Sequence, residues 1–162
     1  MDSRQIEQYP GFLGQKLAEM QINASIILLG GVLMVTQVGN RKSTQDIDIV
    51  IATNDPGTYR AIQQAIKLVT QERKLSPAWL NDDVAIVVDQ IGKPKAPRYW
   101  KTFANLTVYV PEFEYILALK LFSGRPQDDQ DIKALARSLP YTYYCRRSRK
   151  HLPGGGSLVC PR

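Results

Sequence analysis

Cysteine and histidine are almost absent from this 162-residue chain, which contains two cysteines and one histidine. All three lie late in the sequence, at Cys145, His151 and Cys160, with irregular spacing. Within the first 139 residues this distribution excludes a Cys/His zinc site, a thiol nucleophile and a histidine base. The low cysteine content favours a cytosolic protein.

Long apolar runs are missing as well. The apolar stretch that starts at Ile26 is interrupted by glycines, and it is far shorter than the roughly 20 residues of a membrane span. The first residues are polar, and we identify no secretory signal. We therefore expect a cytoplasmic protein with no membrane partner. With 44% hydrophobic residues, the chain can form one domain with its own core.

The net charge of +6 is unevenly distributed along the chain. Residues 1–139 contain 16 lysines and arginines against 15 acidic residues, whereas residues 140–162 contain five basic residues and no acid. We therefore predict a nearly neutral domain over residues 1–139 and an atypical basic tail over residues 140–162. A disordered tail, a shifted reading frame, a truncation or a genuine arm that binds RNA phosphates would each account for this composition.

The stretch from Ser25 to Ile51 carries most of the recognisable chemistry. Ser25–Leu29 is a short apolar run that predicts a buried strand, and the two glycines after it predict a tight turn before a helix that opens at Val32. From Asp46 onward polar and apolar residues alternate, which predicts a second strand. Its isoleucines would face a core, while Asp46 and Asp48 would share the other face with their Cα atoms about 6.6 Å apart.

This stretch also contains candidate ligands for a metal and a triphosphate. Two unpaired carboxylates at that separation repel each other, and a divalent cation between them would remove the repulsion. Their hard oxygen atoms suit Mg²⁺. Glycines let the backbone approach a ligand closely, and a helix N-terminus offers free N–H groups to phosphate. The candidates for binding the triphosphate are Gly30, Gly31, Arg41, Ser43 and Thr44, and a transferase that uses nucleoside triphosphates requires such components.

A strand, Gly-Gly, a helix and a strand with Asp-x-Asp together resemble the nucleotidyltransferase superfamily. The form found here, Gly30-Gly31 … Arg41-x-x-Thr44-x-Asp46-Ile47-Asp48, is most similar to the abortive-infection toxin branch of bacterial toxin–antitoxin systems. The resemblance covers roughly residues 13–139. It implies an α/β (α+β) fold in which a small mixed sheet is flanked by helices and followed by a C-terminal helical part.

A second signature lies near the end of this region. The apolar spacing predicts a helix that ends at Gly124 and carries Lys120 on its buried stripe. Either the lysine extends its head into water or it directs its charge at the triphosphate. Asp128 is predicted to cap the next helix, with Asp131 as a capping-box acid. The pattern Lys-x-x-x-x-Arg-x-x-Asp-x-x-Asp, which begins at Lys120, also resembles the toxin branch and implies active-site roles for Lys120 and Asp131. Arg125 and Asp128 also match the pattern.

A third carboxylate often completes the metal site in proteins of this superfamily. The candidates are Asp82, Asp83 and Asp89, and each could instead belong to a surface acidic turn. The string Trp-Leu-Asn-Asp favours Asp82 by resemblance. The residues that follow, 84–89, would form a strand or the end of a helix.

Other segments have simpler patterns. Helices are predicted from near Pro10 to Gln21 and from Asn54 to about Lys74, and a strand is predicted over Leu106–Val110. The segment Lys93–Lys101 is basic, aromatic and broken by prolines. It predicts a loop that either packs locally or holds nucleic acid by charge and stacking.

These observations predict a magnesium-dependent nucleotidyltransferase. A nucleotide would pass from a nucleoside triphosphate to a hydroxyl group of RNA, for which the resemblance suggests tRNA, or of a protein. Asp46, Asp48 and Asp82 would hold Mg²⁺. Lys120 would neutralise developing charge, and Asp131 would act as a base or orient Lys120. The resemblance implies a toxin with a cognate antitoxin as its partner. The alternative is a catalytically inactive member of the same fold that binds nucleotide or RNA.

Overall fold

The structure is a computed structural model that describes residues 1–139. This part of the chain has the predicted α/β fold. Its α-helices are α1 (Ser3–Glu19), α2 (Gly31–Leu33), α3 (Pro56–Arg73), α4 (Ala85–Ile91), α5 (Phe113–Ser123) and α6 (Asp129–Ser138). Its strands are β1 (Ala24–Leu29), β2 (Ile47–Ile51), β3 (Leu80–Asn81), β4 (Arg98–Phe103) and β5 (Leu106–Val110). A π-helical segment (Met34–Val38) follows α2, and a 3₁₀ turn (Pro126–Asp128) precedes α6. The predicted basic tail lies outside the described residues.

The five strands form one mixed sheet in the order β3-β2-β1-β5-β4. β1 pairs antiparallel with β2 and parallel with β5. β3 runs parallel to β2, and β4 runs antiparallel to β5. The register aligns Leu29, Asp48 and Asn81 across three neighbouring strands. Because Gly30 directly follows Leu29, the glycine turn lies beside the row that contains Asp48.

Apolar side chains cover both faces of the sheet. The three isoleucines of β2 are buried in the larger core, together with residues of α1 and α3. Val50 is buried in a second cluster with Val88 of α4 and Leu119 of α5. Since side chains alternate along a strand, Asp48 shares a face with Val50. The predicted alternation is confirmed, and it places Asp48 on the side of the sheet where α4 and α5 pack.

The helix after the glycine turn differs from its prediction. It begins at Gly31 rather than Val32, contains three α-helical residues and continues as the π-helical segment Met34–Val38. It ends at Gly39, which has the left-handed φ of 73°. Helical structure therefore begins directly at the glycine turn and continues to Val38.

The other predicted helices are confirmed, with one shifted boundary. α3 begins after Asp55, whose carboxylate accepts the backbone N–H of Thr58 at 2.7 Å. α1 starts at Ser3 instead of near Pro10, because Asp2 and Gln5 form a capping box and the proline is accommodated inside the helix. Within residues 1–139, no helix has the length and apolar character needed to cross a membrane.

Two ambiguous segments are resolved. Residues 85–91 form a helix, so the strand alternative for residues 84–89 is wrong. The loop prediction for Lys93–Lys101 is wrong from Arg98 onward, because Arg98–Phe103 is a strand paired with β5. Trp100 packs edge-on against Phe103 on that strand. Pairing with a neighbouring strand therefore outweighs the local composition, which prolines and lysines had made appear loop-like.

Candidate active site

A cleft of about 840 Å³ lies where the glycine turn, the start of β2, the end of β3 and helix α5 meet. Eight of the ten residues to which the sequence analysis gave a catalytic, phosphate-binding or metal-binding role line this cleft: Gly30, Gly31, Arg41, Ser43, Thr44, Asp46, Asp48 and Lys120. The two others, Asp82 and Asp131, lie outside the lining. The fold thus brings together residues that are up to 90 positions apart in the chain.

The two glycines of the turn make room for polar side chains of the cleft. Gly30 has φ 66° and ψ −147°, a conformation that residues with a side chain rarely adopt. A Cβ atom on Gly30 would lie 1.9 Å from Asp48 Oδ2 and 2.8 Å from its Cγ. A Cβ atom on Gly31 would lie 2.5 Å from Thr44 Oγ1. The carboxylate and the hydroxyl therefore pack directly against the backbone of the turn.

Asp48 lies in an environment that disfavours its ionised form. Burial raises the pKa of Asp48 to about 6, and the nearby charges of Asp46 and Asp83 act in the same direction. Arg125 and a hydrogen bond from Asn81 lower the pKa and oppose part of this shift. The Asn81 amide is oriented by its own contact, since its Oδ1 accepts the backbone N–H of Asp83 at 3.2 Å. A cation beside Asp48 would offset the penalty, because it would favour the ionised carboxylate.

A charge cluster of Arg41, Lys120, Asp128 and Asp131 joins the loop after the π-helical segment to α5 and α6. Lys120 Nζ lies 2.7 Å from both Asp128 Oδ1 and Asp131 Oδ2. Arg41 contacts both oxygens of Asp131, with Nε 2.8 Å from Oδ1 and Nη2 2.6 Å from Oδ2. Asn40 donates a hydrogen bond to Asp131 Oδ1 at 2.9 Å. The two-pronged arginine contact and the shared lysine fix both basic side chains at the cleft.

Asp131 lies behind the cleft rather than in it. The residue is only 1% exposed, whereas Arg41 and Lys120, which it contacts, both line the cleft. Burial raises the pKa of Asp131, but hydrogen bonds from Lys120, Arg41 and Asn40 outweigh this effect and hold the pKa below its usual range. Of the two predicted roles, the geometry therefore favours orienting Lys120 over acting as a base on a substrate.

Two local predictions for this region are wrong. Lys120 does not extend its head into water, because it is only 7% exposed and is paired with two carboxylates. Asp128 occupies the N-cap position of α6 but makes no capping hydrogen bond through its side chain. Its carboxylate instead accepts hydrogen bonds from Lys120 and, at 3.3 Å, from Ser123 Oγ. Asp131 likewise belongs to the charge cluster rather than to a capping box.

The candidates for a third carboxylate occupy different places. Asp82 Oδ2 accepts hydrogen bonds from Tyr59 and, at 3.0 Å, from Gln63, both on α3, so Asp82 is not brought to the cleft. Asp89 is exposed on α4 and lies outside the lining. Asp83 lines the cleft and is close enough to raise the pKa of Asp48. Asp83 is therefore the candidate that lies at the cleft, whereas Asp82, which the resemblance favoured, does not line it.

The further polar residues of the lining include Asn81, Arg125 and Gln127. Asn81 lies directly across from Asp48 in the sheet register. The pattern that could have identified Asn81 is its position directly after the apolar pair Trp79-Leu80, where a short strand next to β2 would present a polar side chain. Arg125 was noted from the second signature without a role, and the structure shows that its charge acts on Asp48. Gln127 follows no pattern that could have identified it.

The aspartate pair fits a hard divalent cation. Asp46 and Asp48 both line the cleft and provide carboxylate oxygens, which Mg²⁺ prefers as ligands. In the part of the chain that the structure describes, no three histidine, cysteine or acidic side chains form a group that could hold a metal alone. At nucleotide sites Mg²⁺ is usually bound by one or two carboxylates together with the substrate phosphates. Two protein carboxylates therefore suit a metal that binds together with a nucleotide.

Comparison with known protein families gives a match. A family model with the description "Nucleotidyltransferase of unknown function (DUF6036)" matches residues 13–139. The matched range includes the glycine turn, the aspartate pair and the whole charge cluster. No curated protein and no solved structure matches the chain.

Proposed function

The chain belongs to this family of nucleotidyltransferases, and from that premise we propose that it transfers a nucleotide from a nucleoside triphosphate to an acceptor hydroxyl with Mg²⁺ as cofactor. The family match confirms the predicted superfamily and supports the general class of transferase. The observation that carries the proposal is the convergence in one cleft of the glycine turn, the hydroxyls of Ser43 and Thr44, and the carboxylates of Asp46 and Asp48.

The charges of the cleft support a requirement for a divalent cation. Four carboxylates and three basic side chains line the cleft, and the ionised carboxylate of Asp131 lies behind it. A triphosphate, itself strongly negative, would therefore enter a region whose side chains carry net negative charge. Asp46 and Asp48 would hold Mg²⁺, which would supply neutralisation of phosphate charge and polarisation of the transferred phosphoryl group.

The basic side chains have a different role. Lys120 and Arg41 are held at the cleft by buried carboxylates, so their positions do not depend on the substrate. Preorganised cations of this kind stabilise charge that develops on the leaving phosphates. Asp131 touches neither the cleft nor a substrate in this arrangement, and it therefore acts as a positioning residue through Lys120 and Arg41.

The proposed reaction is a displacement at the α-phosphorus of the triphosphate. The oxygen of the acceptor hydroxyl forms a new bond to the α-phosphorus, and the bond from this phosphorus to the bridging oxygen breaks. Pyrophosphate leaves with the electron pair, and the hydroxyl proton passes to water at the open cleft. The glycine turn, Ser43 and Thr44 would hold the phosphates in line for this attack.

The test is a transfer assay with nucleotides labelled at the α-phosphate. Purified protein is incubated with each of the four triphosphates, Mg²⁺ and either total RNA or total protein. We expect label on RNA with the unchanged protein and none with Asp48→Asn. The matched control is Asp89→Asn, which removes an exposed carboxylate from α4 outside the cleft and should leave transfer unchanged.

Each outcome of this assay has a defined meaning. Label on protein instead of RNA would support the transferase and change the acceptor. If no label is transferred although Mg²⁺–nucleotide still binds to the folded protein, the alternative of a catalytically inactive binding protein is favoured. If no nucleotide binds, the proposed function is wrong.

The acceptor and the biological role rest on the resemblance alone. The signature from Lys120 to Asp131 is similar to that of abortive-infection toxins, which supports RNA, and tRNA in particular, as the acceptor and a cognate antitoxin as a partner. Induced expression in a bacterial host should then arrest growth, and Asp48→Asn should abolish the arrest. Normal growth with an active transferase would contradict the toxin role while leaving the transfer reaction intact.

A further inference from the structure

The cleft has two chemically different sides. The glycine turn, the hydroxyls and the aspartate pair form a polar side. The same lining contains an apolar wall of four aliphatic residues: Val84, Val87, Ile116 and Leu119. Of the side chains from residues 1–139 that line the cleft, none is aromatic.

The wall is built from one turn of each of two packed helices. Val84 and Val87 are three residues apart at the start of α4, and Ile116 and Leu119 have the same spacing on α5. Residues three apart share a helix face. The half-buried Val84 and Val87 form the accessible part of the wall, and Ile116 and Leu119, which are only 1% and 7% exposed, lie behind it. The valines pack in the same hydrophobic cluster as Leu119. The wall is therefore a fixed part of the fold.

The wall also continues directly from the polar side. Val84 follows Asp83, which lines the cleft and acts electrostatically on Asp48. Ile116 and Leu119 lie on the same helix as Lys120. Phosphates held at Asp48 and Lys120 would therefore lie in the same cleft as the wall. The cleft volume of about 840 Å³ lies within the range of roughly 300–1,000 Å³ that is usual for small-molecule sites.

We propose that this wall binds the nucleobase of the triphosphate and favours purines over pyrimidines. The inference rests on the proposed function, because it takes the phosphates to lie at the aspartate pair. The base is the large, flat and least charged part of a nucleotide, and the wall is the matching surface of the cleft. Aliphatic side chains offer contact area without directional hydrogen bonds. Selection at the wall therefore follows the size of the base and does not separate adenine from guanine.

The test measures binding by titration calorimetry in the presence of Mg²⁺. The probes are inorganic tripolyphosphate and the non-hydrolysable α,β-methylene analogues of ATP, GTP and UTP. We expect the purine analogues to bind about fivefold more tightly than the UTP analogue, because a purine buries more apolar area. Tripolyphosphate, which has no base, should bind more weakly than all three.

A matched pair of variants tests the wall itself. Val84→Thr/Val87→Thr replaces two methyl groups with hydroxyls and should weaken binding of the purine analogues roughly tenfold. It should leave tripolyphosphate binding unchanged. The control is Ile86→Thr, a similar change on the same helix at a residue that is 72% exposed and outside the cleft, which should alter neither ligand.

The outcomes separate this inference from the function on which it rests. Three results would each contradict a role of the wall in binding the base without contradicting the phosphate site. They are equal affinity for purine and pyrimidine analogues, equal affinity for tripolyphosphate and nucleotides, and unchanged affinity of the double variant for the purine analogues. If neither tripolyphosphate nor any nucleotide binds, the proposed function is wrong, and the inference that rests on it is wrong as well. The comparison of ligands on the unchanged protein remains decisive even if the double variant does not fold.

Discussion

Replacing Gly30 with alanine tests the central contact of the site. Gly30 has φ 66° and ψ −147°, in a region that is essentially restricted to glycine. Gly30→Ala therefore costs about 2 kcal/mol of folding free energy through backbone strain alone. The added Cβ would also lie 1.9 Å from Asp48 Oδ2. Since it would lie 2.8 Å from Cγ as well, rotation of the carboxylate end alone cannot relieve the collision.

A second glycine provides a control that has the strain without the collision. Gly92 has φ 87° and ψ 153°, and an added Cβ would meet no atom within 4 Å. Gly92→Ala should therefore lose about 2 kcal/mol, a decrease of roughly 6 °C in melting temperature for a domain of this size. Gly30→Ala should lose about 4 kcal/mol, because overpacking adds to the strain.

The two variants should differ most in ligand binding. Gly30→Ala displaces the Asp48 carboxylate, so Mg²⁺-dependent nucleotide binding should fall at least about tenfold by calorimetry, as expected for losing one charged ligand. Gly92→Ala should bind as the unchanged protein does, and urea denaturation should report both losses of stability. If Gly30→Ala binds the Mg²⁺–nucleotide complex with unchanged affinity, the close packing of the turn against Asp48 has no role in the site.

Three other predictions concern charge. Asp131→Asn should destabilise the domain by about 3 kcal/mol near pH 7, because Lys120 and Arg41 lose a buried partner. The pKa of Asp131 is lower in the folded than in the unfolded protein. The stability that the ionised carboxylate contributes is therefore fully present above the unfolded pKa, near 4, and is lost as the pH falls through the lower folded pKa. When the free energy of unfolding is measured at decreasing pH, the variant and the parent should converge in this range. Asp83→Asn should weaken Mg²⁺–nucleotide binding about threefold by calorimetry, whereas Asp82→Asn should leave it unchanged. Chelation of divalent cations with EDTA should reduce nucleotide affinity at least about a hundredfold, because the cleft side chains carry net negative charge.

Each of these predictions has an outcome that would contradict it. A constant stability difference between Asp131→Asn and its parent down to pH 2 would contradict an ionised Asp131 in the folded protein. A loss of binding with Asp82→Asn but not with Asp83→Asn would restore the choice that the sequence resemblance favoured. Nucleotide affinity that is unchanged by EDTA would contradict a metal held by the aspartate pair.

The polar residues of the cleft could be identified as candidates from the sequence because the patterns that mark them are local. The alternation after Asp46 specifies which side chains share a face of β2, and the apolar run before Gly30 specifies a buried strand that ends in a turn. Both patterns depend on residues that are neighbours in sequence. The structure accordingly places the predicted glycines, hydroxyls and aspartate pair around one cleft.

The predictions failed where a contact with another helix or strand determines the conformation or the position of a residue. Asp128 has the sequence context of an N-cap, but its carboxylate forms an ion pair with Lys120 of the preceding helix. Arg98 follows a proline-broken basic segment, but pairing with β5 makes it part of a strand. The position of Asp82 depends on Tyr59 and a neighbouring glutamine on α3, which no local pattern reveals.

Through the charge cluster, helices α5 and α6 position basic side chains at the candidate site in addition to packing against the core. α6 has two buried residues, Asp131 and Leu135, so a large part of its buried contact is ionic rather than apolar. Replacing a buried ion pair with well-packed apolar residues is often neutral or stabilising, and such pairs are therefore weak evidence for stability alone. An apolar α5–α6 contact could hold the helices as well, but it would leave no cations at the cleft. The cost of burying Lys120 with two carboxylates is therefore best accounted for by the fixed positive charge that it places at the cleft.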